Sequence, residues 1–461
     1  MRYRKPEELK ETDIKWIGRI PDNWSLKKLK FISEVNSSNV DKKSNEDEMA
    51  VELCNYTDVY YNEFITNQLE FMKATASKNS FKRFKLETDD IIITKDSESQ
   101  DDIAVPALVK ETKANLLCGY HLALIKPKKR IVRGDYLFRL FQSMKYREEF
   151  GNRSNGITRY GLGVQEIKNI YIHLPPILEQ RSIAAFLDRK TEAIDALIEK
   201  KEQIIERLKQ KPQALITQAV TKGLDPHVPM KDSGNEWLGE IPEHWDVTKI
   251  KLVANRVTTG KTPSTSNKDY YSNADIDWFS PGDFNENYLL KDSERKINEY
   301  AVDDIGIDLY DPFSVLLVGI GATVGKIGIT KSVAFSNQQI NAIKFKEGEV
   351  NPWFGLYQLD SFKDYIISLA SSSTLPIFNQ TDTKELFFLK PPKEEQDAIV
   401  YEIKAMSYNM FRIIGLIENE INKLKEYRQS LISEAVTGKI DVRSGCAEAS
   451  ADRYKMEVNN I

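Results

Sequence analysis

WIGRIPDNW, residues 16–24, and WLGEIPEHW, residues 237–245, are two near-identical segments of one chain. Trp, Gly, Ile, Pro and Trp stand at the same offsets in both segments, 221 positions apart. Two further pairs of segments repeat with a shift of 216, namely LPPILEQRSIAAFLDRK (174–190) with KPPKEEQDAIVYEIKAM (390–406), and LITQAVTKG (215–223) with LISEAVTGK (431–439). Solenoid repeats have periods of only about 20–50 residues. The sequence therefore predicts two tandem copies of a domain-sized unit.

Composition narrows the class of protein before any motif is considered. The 461 residues, 41% of them hydrophobic, suffice for several domains with ordinary cores. Cys54, Cys118 and Cys446 lack CxxC spacing and the four histidines do not cluster, so we expect no structural metal and a reducing environment. Neither a signal peptide nor a run of about 20 apolar residues is present, which predicts a cytoplasmic protein without a membrane segment. The net charge of −4 argues against a chain that coats nucleic acid by bulk charge, so any DNA binding is expected to use local patches or a basic partner.

The residue composition of each copy changes once along the chain, from a part typical of strands and turns to a part typical of helices. Residues 33–174 and 254–390 alternate short apolar runs with clusters of Gly, Asn, Ser and Asp, which is typical of strands joined by turns. Residues 177–223 and 393–439 are poor in Gly and Pro and rich in Glu, Lys, Leu and Ile, which predicts long helices. Two prolines precede each of these stretches and favour a sharp helix start.

The helical stretches carry heptad repeats. In the second, one series is Ile403, Met410, Ile417, Leu424 and Leu431, and the other is Ile399, Met406, Ile413, Glu420 and Tyr427. The matching positions of the first are Leu187, Ile194, Lys201, Leu208 and Leu215, with Ile183, Lys190, Leu197, Ile204 and Lys211. Such series over four heptads predict a coiled coil. The simpler alternative is that each helix covers its own domain, but a helix of about 47 residues is roughly 70 Å long, more than such a domain needs.

Taken in order, these motifs resemble the specificity subunits of type I restriction-modification enzymes. The resemblance rests on a W-[IL]-G-x-[IL]-P-x-x-W entry, a variable mixed domain, a PP-x-x-EQ helix start and a helix end in which a glycine follows A-V-T by one or two residues (AVTKG and AVTGK), all duplicated. It covers all of the chain except about the last twenty residues. Supporting strings are TKDSESQDDIAVPALV (94–109), TTGKTPS (258–264), GIGATVGKIGI (319–329) and NQQINAI (337–343).

The resemblance implies an α+β fold. In it, two tandem mixed α/β target recognition domains are separated by two long helices, which pack as an antiparallel coiled coil with pseudo-twofold symmetry. The expected segments are a first target recognition domain (1–176), a central spacer helix (177–223), a second target recognition domain (224–392), a C-terminal spacer helix (393–439) and a polar, disordered tail (440–461).

The resemblance also implies a function in DNA recognition without catalysis. Each recognition domain is expected to read one half of a bipartite, asymmetric DNA target, while the helices set the spacing and dock two modification subunits, which are adenine methyltransferases. Restriction subunits then add ATP-dependent translocation and cleavage. No cofactor is expected in this chain, whereas S-adenosylmethionine, ATP and Mg are expected on the partner subunits. Trp16, Trp24, Trp237 and Trp245 are expected to pack at the base of the domains.

Three segments resemble nucleotide-binding or catalytic motifs, but none has the residues that its motif requires. GIGATVGKIGI (319–329) has Ile327 after its lysine, whereas a phosphate-binding loop needs Ser or Thr there. NPWF (351–354) has Trp353 where the adenine-binding motif of amino-methyltransferases has a second proline. DDIIITK (89–95) has two acids before an apolar strand and no further acid near its lysine, so it is an unconvincing nuclease site. We therefore expect no catalytic residues.

Candidate DNA contacts lie in loops. Arg and Lys commonly bind guanine, Asn and Gln bind adenine, and hydroxyl groups bind phosphates. The candidates in the first copy are Lys95, Ser97, Ser99, Gln100, Arg153, Asn155, Arg159 and Tyr160. Those in the second copy are Thr259, Lys261, Thr262, Ser264, Lys326, Asn337 and Gln338. The alternative function is a coiled-coil adaptor whose two globular heads bind proteins rather than DNA.

Overall fold

The computed structural model contains two long helices and two mixed α/β bodies. It describes residues 2–42, 45–285, 288–370 and 375–443, and within them not the side chains of 101 and 210–212. Cys446 and residues 444–461 of the predicted tail lie outside the described residues.

The first half of the chain ends in a long helix. Its strands are β1 (Arg2–Tyr3), β2 (Leu9–Glu11), β3 (Arg19–Pro21), β4 (Ser25–Lys28), β5 (Ser33–Ser37), β6 (Met49–Cys54), β7 (Phe64–Ile65), β8 (Met72–Ala76), β9 (Ile91–Thr94), β10 (Asp96–Ser97), β11 (Pro106–Val109), β12 (Leu116–Cys118), β13 (Leu122–Pro127), β14 (Tyr160–Gly161) and β15 (Tyr171–Leu174). Its helices are α1 (Leu29–Ile32), α2 (Tyr56–Tyr61), α3 (Lys78–Phe84), α4 (Gly134–Gln142), α5 (Met144–Arg153), α6 (Val164–Asn169) and the long α7 (Ile177–Lys222). Short 3₁₀ helices span Pro6–Glu8 and Gln100–Asp102.

The second half repeats this order. Its strands are β16 (Met230–Asp232), β17 (Glu240–Pro242), β18 (Asp246–Lys249), β19 (Ala254–Thr259), β20 (Ile276–Phe279), β21 (Leu289–Leu290), β22 (Lys296–Ile297), β23 (Val315–Val318), β24 (Ile327–Thr330), β25 (Ala334–Ser336), β26 (Ile340–Phe345), β27 (Phe387–Lys390) and β28 (Ile440–Asp441). Its helices are α8 (Ile250–Val253), α9 (Glu299–Ile305), α10 (Pro352–Ser361), α11 (Lys363–Leu369), α12 (Gln380–Glu385) and the long α13 (Lys393–Val436). Short 3₁₀ helices span Lys268–Tyr271 and Pro281–Asp283.

The compact units of the structure differ from the two sequence copies. The first unit comprises Met1–Glu202 together with Glu418–Ile461, and the second unit comprises Gln203–Ile417. Each unit therefore includes one globular body, the start of the long helix that follows it, and the end of the long helix from the other copy. This arrangement explains why the entry and helix-end motifs are both duplicated, since each unit needs one of each.

The first unit is built around a five-stranded sheet of order β5-β13-β9-β11-β7. All neighbours in it are antiparallel except β11 and β7, which are parallel. A three-stranded sheet, β12-β6-β8, packs beside it, and both contribute to one apolar cluster. The run Ile91–Ile93 of β9 is fully buried, as expected for an uninterrupted apolar strand at the centre of a sheet.

The second unit has the same topology. Its five-stranded sheet has the order β19-β26-β23-β24-β21, and its three-stranded sheet has the order β22-β20-β25. The parallel pair is again at the end of the larger sheet, between β21 and β24. Val315–Val318 of β23 is fully buried, as β9 is in the first unit.

The PP-x-x-EQ motif fastens each long helix to its globular body. Pro176 precedes α7, and its carbonyl accepts the amides of the first helical turn. The buried Gln180 accepts the backbone N–H of Arg133 at 2.9 Å and donates to the carbonyls of Ile131 and Pro175. In the second unit, the buried Gln396 makes three bonds of the same kind, to the backbone of Asn351, Glu349 and Pro391. The duplicated glutamine therefore has a structural role.

One of the two predicted heptad series in α13 is wrong beyond Met406. Ile413 and Tyr427 are 43% and 50% exposed, whereas Ile414 and Ile421, each one residue after a predicted position, are only 8% and 6% exposed. After Met410 and after Ile417, the next buried apolar residue lies four positions later, at Ile414 and Ile421, rather than three, and a heptad contains steps of both lengths. The other series, from Ile403 to Leu431, is buried or half-buried throughout.

The same correction applies to α7. Leu197 and Ile204 of the predicted series are 43% and 47% exposed, while Ile198 and Ile205 are buried. In each long helix, the buried positions of one of the two predicted series thus lie one residue later than predicted, because the spacing of apolar residues alone leaves the choice between steps of three and four undecided.

The predicted tail begins too early. Ile440 and Asp441 form β28, which pairs antiparallel with β1 at Tyr3 and Arg2. Ile440 and Val442 are buried, and Asp441 lies 3.7 Å from the buried guanidinium of Arg4. Residues 440–443 therefore belong to the first unit, because the chain after α13 closes a two-stranded sheet there.

Candidate nucleic-acid interface

The first loop cluster, residues 95–100, 120–121 and 153–160, joins loops that the sequence predicted separately. β9 ends at Thr94, and the next strand, β10, pairs antiparallel with β14 so that Ser97 lies opposite Tyr160. The backbone of Asn155 bridges to Gly161 through two hydrogen bonds of 3.0 and 2.8 Å. The segment 155–160 therefore forms a small hairpin on the loop that follows β9.

Asp96 connects this hairpin to the turn before β13. Its carboxylate lies 2.6 Å from Nδ1 of His121 and accepts a hydrogen bond from the Lys95 ammonium at 2.9 Å. Burial by itself would raise the pKa of Asp96, but the hydrogen bonds from His121 and Lys95 outweigh burial and lower it. The ring of Tyr120 packs on His121 with a centroid separation of 3.8 Å. Tyr120 is 47% exposed.

A row of tyrosines on α2 borders the same cluster. The Ser97 side chain hydrogen-bonds Tyr56, whose pKa is raised chiefly by burial. Tyr56 stacks on Tyr60 at 5.7 Å, and Tyr61 is 77% exposed. Exposed aromatic rings beside polar loops suit stacking on sugars and bases.

Some first-copy candidates have partners within the unit. Gln100 donates to the carbonyl of Gly151 at 2.7 Å, and Arg153 binds Glu149 at 2.7 Å and Glu166 at 3.3 Å. Ser97 accepts the amide of Ser99, which shapes the turn. Asn155 and Arg159 present exposed side chains. The exposed members are thus better placed for a ligand than Gln100 and Arg153.

The second loop cluster comprises residues 259–264, 319–326 and 337–339. The backbone of Lys261 donates to Ser336 at 3.0 Å, and the Thr262 hydroxyl donates to Oε1 of Gln338. Gly260 makes this approach possible, because a Cβ there would lie 2.3 Å from the carbonyls of Ser336 and Asn337. The candidate DNA-binding residues that follow β19 and those in the turn after β25 are therefore adjacent.

The hairpin between β23 and β24 completes the cluster. Gln339 accepts the amide of Gly319 at 2.7 Å and donates to the carbonyl of Ile320 at 3.3 Å. Lys326 directly precedes β24, and its carbonyl accepts the amide of Val318, the last residue of β23. The side chain of Asn337, 8% exposed, is bonded to Gln339.

Two remaining candidates lie at the start and end of the β19 loop. Thr259 donates its hydroxyl proton to Asn341 at 2.8 Å, and the Ser264 hydroxyl lies 2.7 Å from that of Ser266. Both groups thus have partners inside the unit. Lys261, Thr262 and Gln338 are exposed, with the Thr262 hydroxyl donating to Gln338 and the Lys261 ammonium lying 3.4 Å from the Gly306 carbonyl oxygen.

The two loop clusters occupy equivalent places in the two sheets. Lys95 donates its amide to the His121 carbonyl, as Gly319 does to Gln339. The carbonyl of Lys95 accepts from Leu162, and the carbonyl of Gly319 accepts from Phe378. Sequence reasoning missed Asp96, Tyr120, His121 and Gln339. Asp96 and Gln339 directly follow candidates in the sequence, whereas Tyr120 and His121 become neighbours of the first-copy candidates only when β9 pairs with β13.

The rival motifs have structural explanations. Asn351 of NPWF caps α10, with its side-chain oxygen accepting the Trp353 amide at 2.9 Å. Asp90 is buried and bound to Lys126 at 2.8 Å. In the described part of the chain, no cluster of three or more His, Cys, Asp or Glu residues is placed to hold a metal ion. Likewise, among the described helices none combines the length and apolarity required to cross a membrane.

Comparisons with known proteins agree on one family. A family model described as the type I restriction modification DNA specificity domain matches residues 21–207 and 242–425. A Methanocaldococcus jannaschii protein, named provisionally as the type I restriction enzyme MjaX specificity subunit, is 24% identical over 450 residues, covering 96% of this chain and 99% of that protein. The crystal structure of the HsdS subunit from Thermoanaerobacter tengcongensis matches with a TM-score of 0.58 at 16% identity, covering 91% of this chain and 98% of that one. A chain from a structural study of complex assembly and conformational transition of the type I R-M system matches with a TM-score of 0.64 at 15% identity, covering 91% and 99%.

Proposed function

The chain belongs to the type I restriction-modification DNA specificity family, and from this premise we propose that it is the non-catalytic specificity subunit of such an enzyme. The observation that carries the proposal is the repetition of one sheet, with one loop cluster, in two compact units. Each loop cluster would read one half of a bipartite DNA target. Because the two clusters carry different polar side chains, the two halves would differ in sequence.

We further propose that α7 and α13 pack as an antiparallel coiled coil that sets the spacing of the half-sites, with pseudo-twofold symmetry between the copies. Support comes from contacts inside each unit. In the first unit, Lys201 of α7 binds Glu420 of α13, while Asp195, earlier in α7, binds Arg428, later in α13, at 2.8 Å. In the second unit, a cavity between the helices is lined by Leu215 of α7 and Met406 of α13.

Exposed apolar side chains on α13 support docking of a modification subunit, and we propose that two such subunits dock on the chain. Tyr401, Tyr408, Phe411 and Leu416 are between 59% and 71% exposed, all within the second unit. Exposed apolar side chains grouped on one element mark protein-binding surfaces. We propose that partner subunits cover them, that these subunits hold S-adenosylmethionine, ATP and Mg, that restriction subunits join them, and that the complex acts in the cytoplasm.

Co-expression tests the proposal. The chain and its modification subunits are produced together in a host that lacks adenine methylation, and methylated adenines are mapped across the genome. We expect one split, asymmetric motif, and we expect the purified complex to retain a DNA fragment carrying that motif in a gel-shift assay over a scrambled fragment. A protein-binding adaptor would yield neither the motif nor sequence-dependent retention, and that result would overturn the proposal.

A further inference from the structure

The turns that enter β13 and β26 occupy the same place in the two recognition sheets. In the first unit this turn carries Tyr120 and His121, and in the second unit it carries Gln338 and Gln339. We infer that these turns are principal base-reading elements of the two half-sites, an inference that rests on the proposed function. Only Gln338 of the four is identifiable as a candidate from the sequence.

His121 is held in place and keeps one ring nitrogen for a ligand. Its backbone adopts a φ of 68°, a left-handed conformation that non-glycine residues seldom take. Nδ1 lies 2.6 Å from the Asp96 carboxylate, which fixes the ring and assigns the proton to Nδ1 in the neutral form. Among the described residues, no partner lies on Nε2. The side chain is 30% exposed, so Nε2 is available to a base edge.

The hydrogen-bonding capacity of Nε2 matches base edges in the major groove. Neutral histidine accepts there, which suits the amino groups of adenine and cytosine, and protonated histidine donates, which suits N7 and O6 of guanine. Tyr120 packs on the ring and is itself 47% exposed. The Lys95 ammonium lies 5.9 Å from the Tyr120 ring centroid. The turn thus combines a fixed polar group, an aromatic face and a nearby cation.

The second unit places amides where the first has rings. Gln338 is exposed, and because its Oε1 accepts the Thr262 hydroxyl, its NH₂ group remains to donate. Gln339 is held from both sides, by Asn337 on its Oε1 and by the Ile320 carbonyl on its Nε2. Gln339 is accordingly a positioning residue and Gln338 the contacting one. One scaffold with two different chemistries is what two readers of unlike half-sites require.

Methylation mapping of single variants tests the inference in the complete complex with the modification subunits. His121→Ala and Tyr120→Ala are expected to relax one or more positions in one half-site, and Gln338→Ala in the other half-site only. A lost base contact should lower the ratio of specific to non-specific affinity by about 5- to 100-fold. His227→Ala and Gln68→Ala, exposed residues outside both loop clusters, are matched controls that should leave the motif unchanged.

The outcomes separate this inference from the proposed function. If the unsubstituted complex methylates no split motif, the proposed function fails and the inference with it. If it methylates such a motif and the His121, Tyr120 and Gln338 variants keep it unaltered, the inference alone is overturned. Tyr120→Phe and His121→Gln preserve the bulk of the side chains and so test whether an altered motif results from misfolding. A relaxed motif in His121→Gln with an unchanged melting temperature supports base reading by the ring nitrogen.

Discussion

Gly438 packs directly against Trp24, so that a Cβ atom at position 438 would lie 3.1 Å from the indole and 2.4 Å from Pro21. Gly223 has the same relationship to Trp245 in the second unit, at 3.5 Å. The second tryptophan of each entry motif and the glycine of each helix end are therefore two halves of one contact. Both tryptophans are almost completely buried, at 1% and 0% exposure.

Gly438→Ala is expected to destabilise the first unit. Gly438 has a φ of 77°, where a side chain costs about 1–2 kcal/mol, and its added methyl group would collide with the Pro21 ring. We predict a loss of at least about 2 kcal/mol in the free energy of unfolding, measured by chemical denaturation of the complex with modification subunits. Gly415→Ala is the matched control: no atom lies within 4 Å of its added Cβ, so this helix-interior change should stabilise by up to about 1 kcal/mol. Equal effects of the two substitutions would contradict the packing described.

The other two tryptophans of the entry motifs pack less deeply. Trp16 stacks edge-on against Tyr146 at 5.1 Å. Trp237 is 41% exposed, yet it contacts Phe362 and Tyr365 at about 5 Å. All four tryptophans therefore contribute to packing, as expected, although only the second in each motif is fully enclosed.

The position of the buried stripe on α13 can be tested with adjacent residues. Ile414→Ala should lower the free energy of unfolding by about 2–5 kcal/mol, the range typical of a buried isoleucine. Ile413→Ala, one residue earlier and 43% exposed, should change it by less than about 1 kcal/mol. Denaturation of both variants in parallel is the measurement, and a larger effect at Ile413 would restore the stripe predicted from the sequence.

His173 predicts a pH dependence of stability. It is fully buried in β15, and burial, with a smaller contribution from the Lys145 charge, lowers its pKa from 6.5 to about 3. The unfolded chain takes up a proton at this side chain as pH falls below about 6.5, whereas the folded chain does so only near 3. Its contribution to stability is therefore complete above about pH 6.5 and is lost progressively as the pH falls towards 3.

Leu389 occupies the equivalent strand position in the second unit, which suggests the substitution. His173→Leu should reduce the slope of unfolding free energy against pH by up to about 1.4 kcal/mol per pH unit between pH 6 and 4. Urea denaturation at several pH values measures this slope. The variant also loses the 2.8 Å contact between Nδ1 and the Tyr146 hydroxyl, which changes its stability at every pH. The two proteins are therefore compared by the slope of unfolding free energy against pH rather than by the free energy itself. An unchanged slope would mean that His173 is protonated in the folded state.

Local sequence signals were enough to predict two tandem mixed domains with two long helices. Proline pairs, apolar strands and repeated motifs all depend on neighbouring residues. The exchange of helix ends between copies was not predictable, because Gly438 and Trp24 are brought together only by the complete fold. The same holds for Asp96 and His121, whose contact depends on the pairing of β9 with β13. Contacts across strands, rather than motifs along the chain, determine which loop side chains are neighbours.

The central claim is that each unit reads one half of a split DNA target. Replacing residues 34–174 with the corresponding segment of a relative exchanges the first loop cluster and leaves the second unit untouched. Methylated adenines are then mapped in cells that contain the chimera and the modification subunits. We predict that one half of the methylated motif changes while the other half and the spacer stay the same. A change in both halves at once would contradict the account.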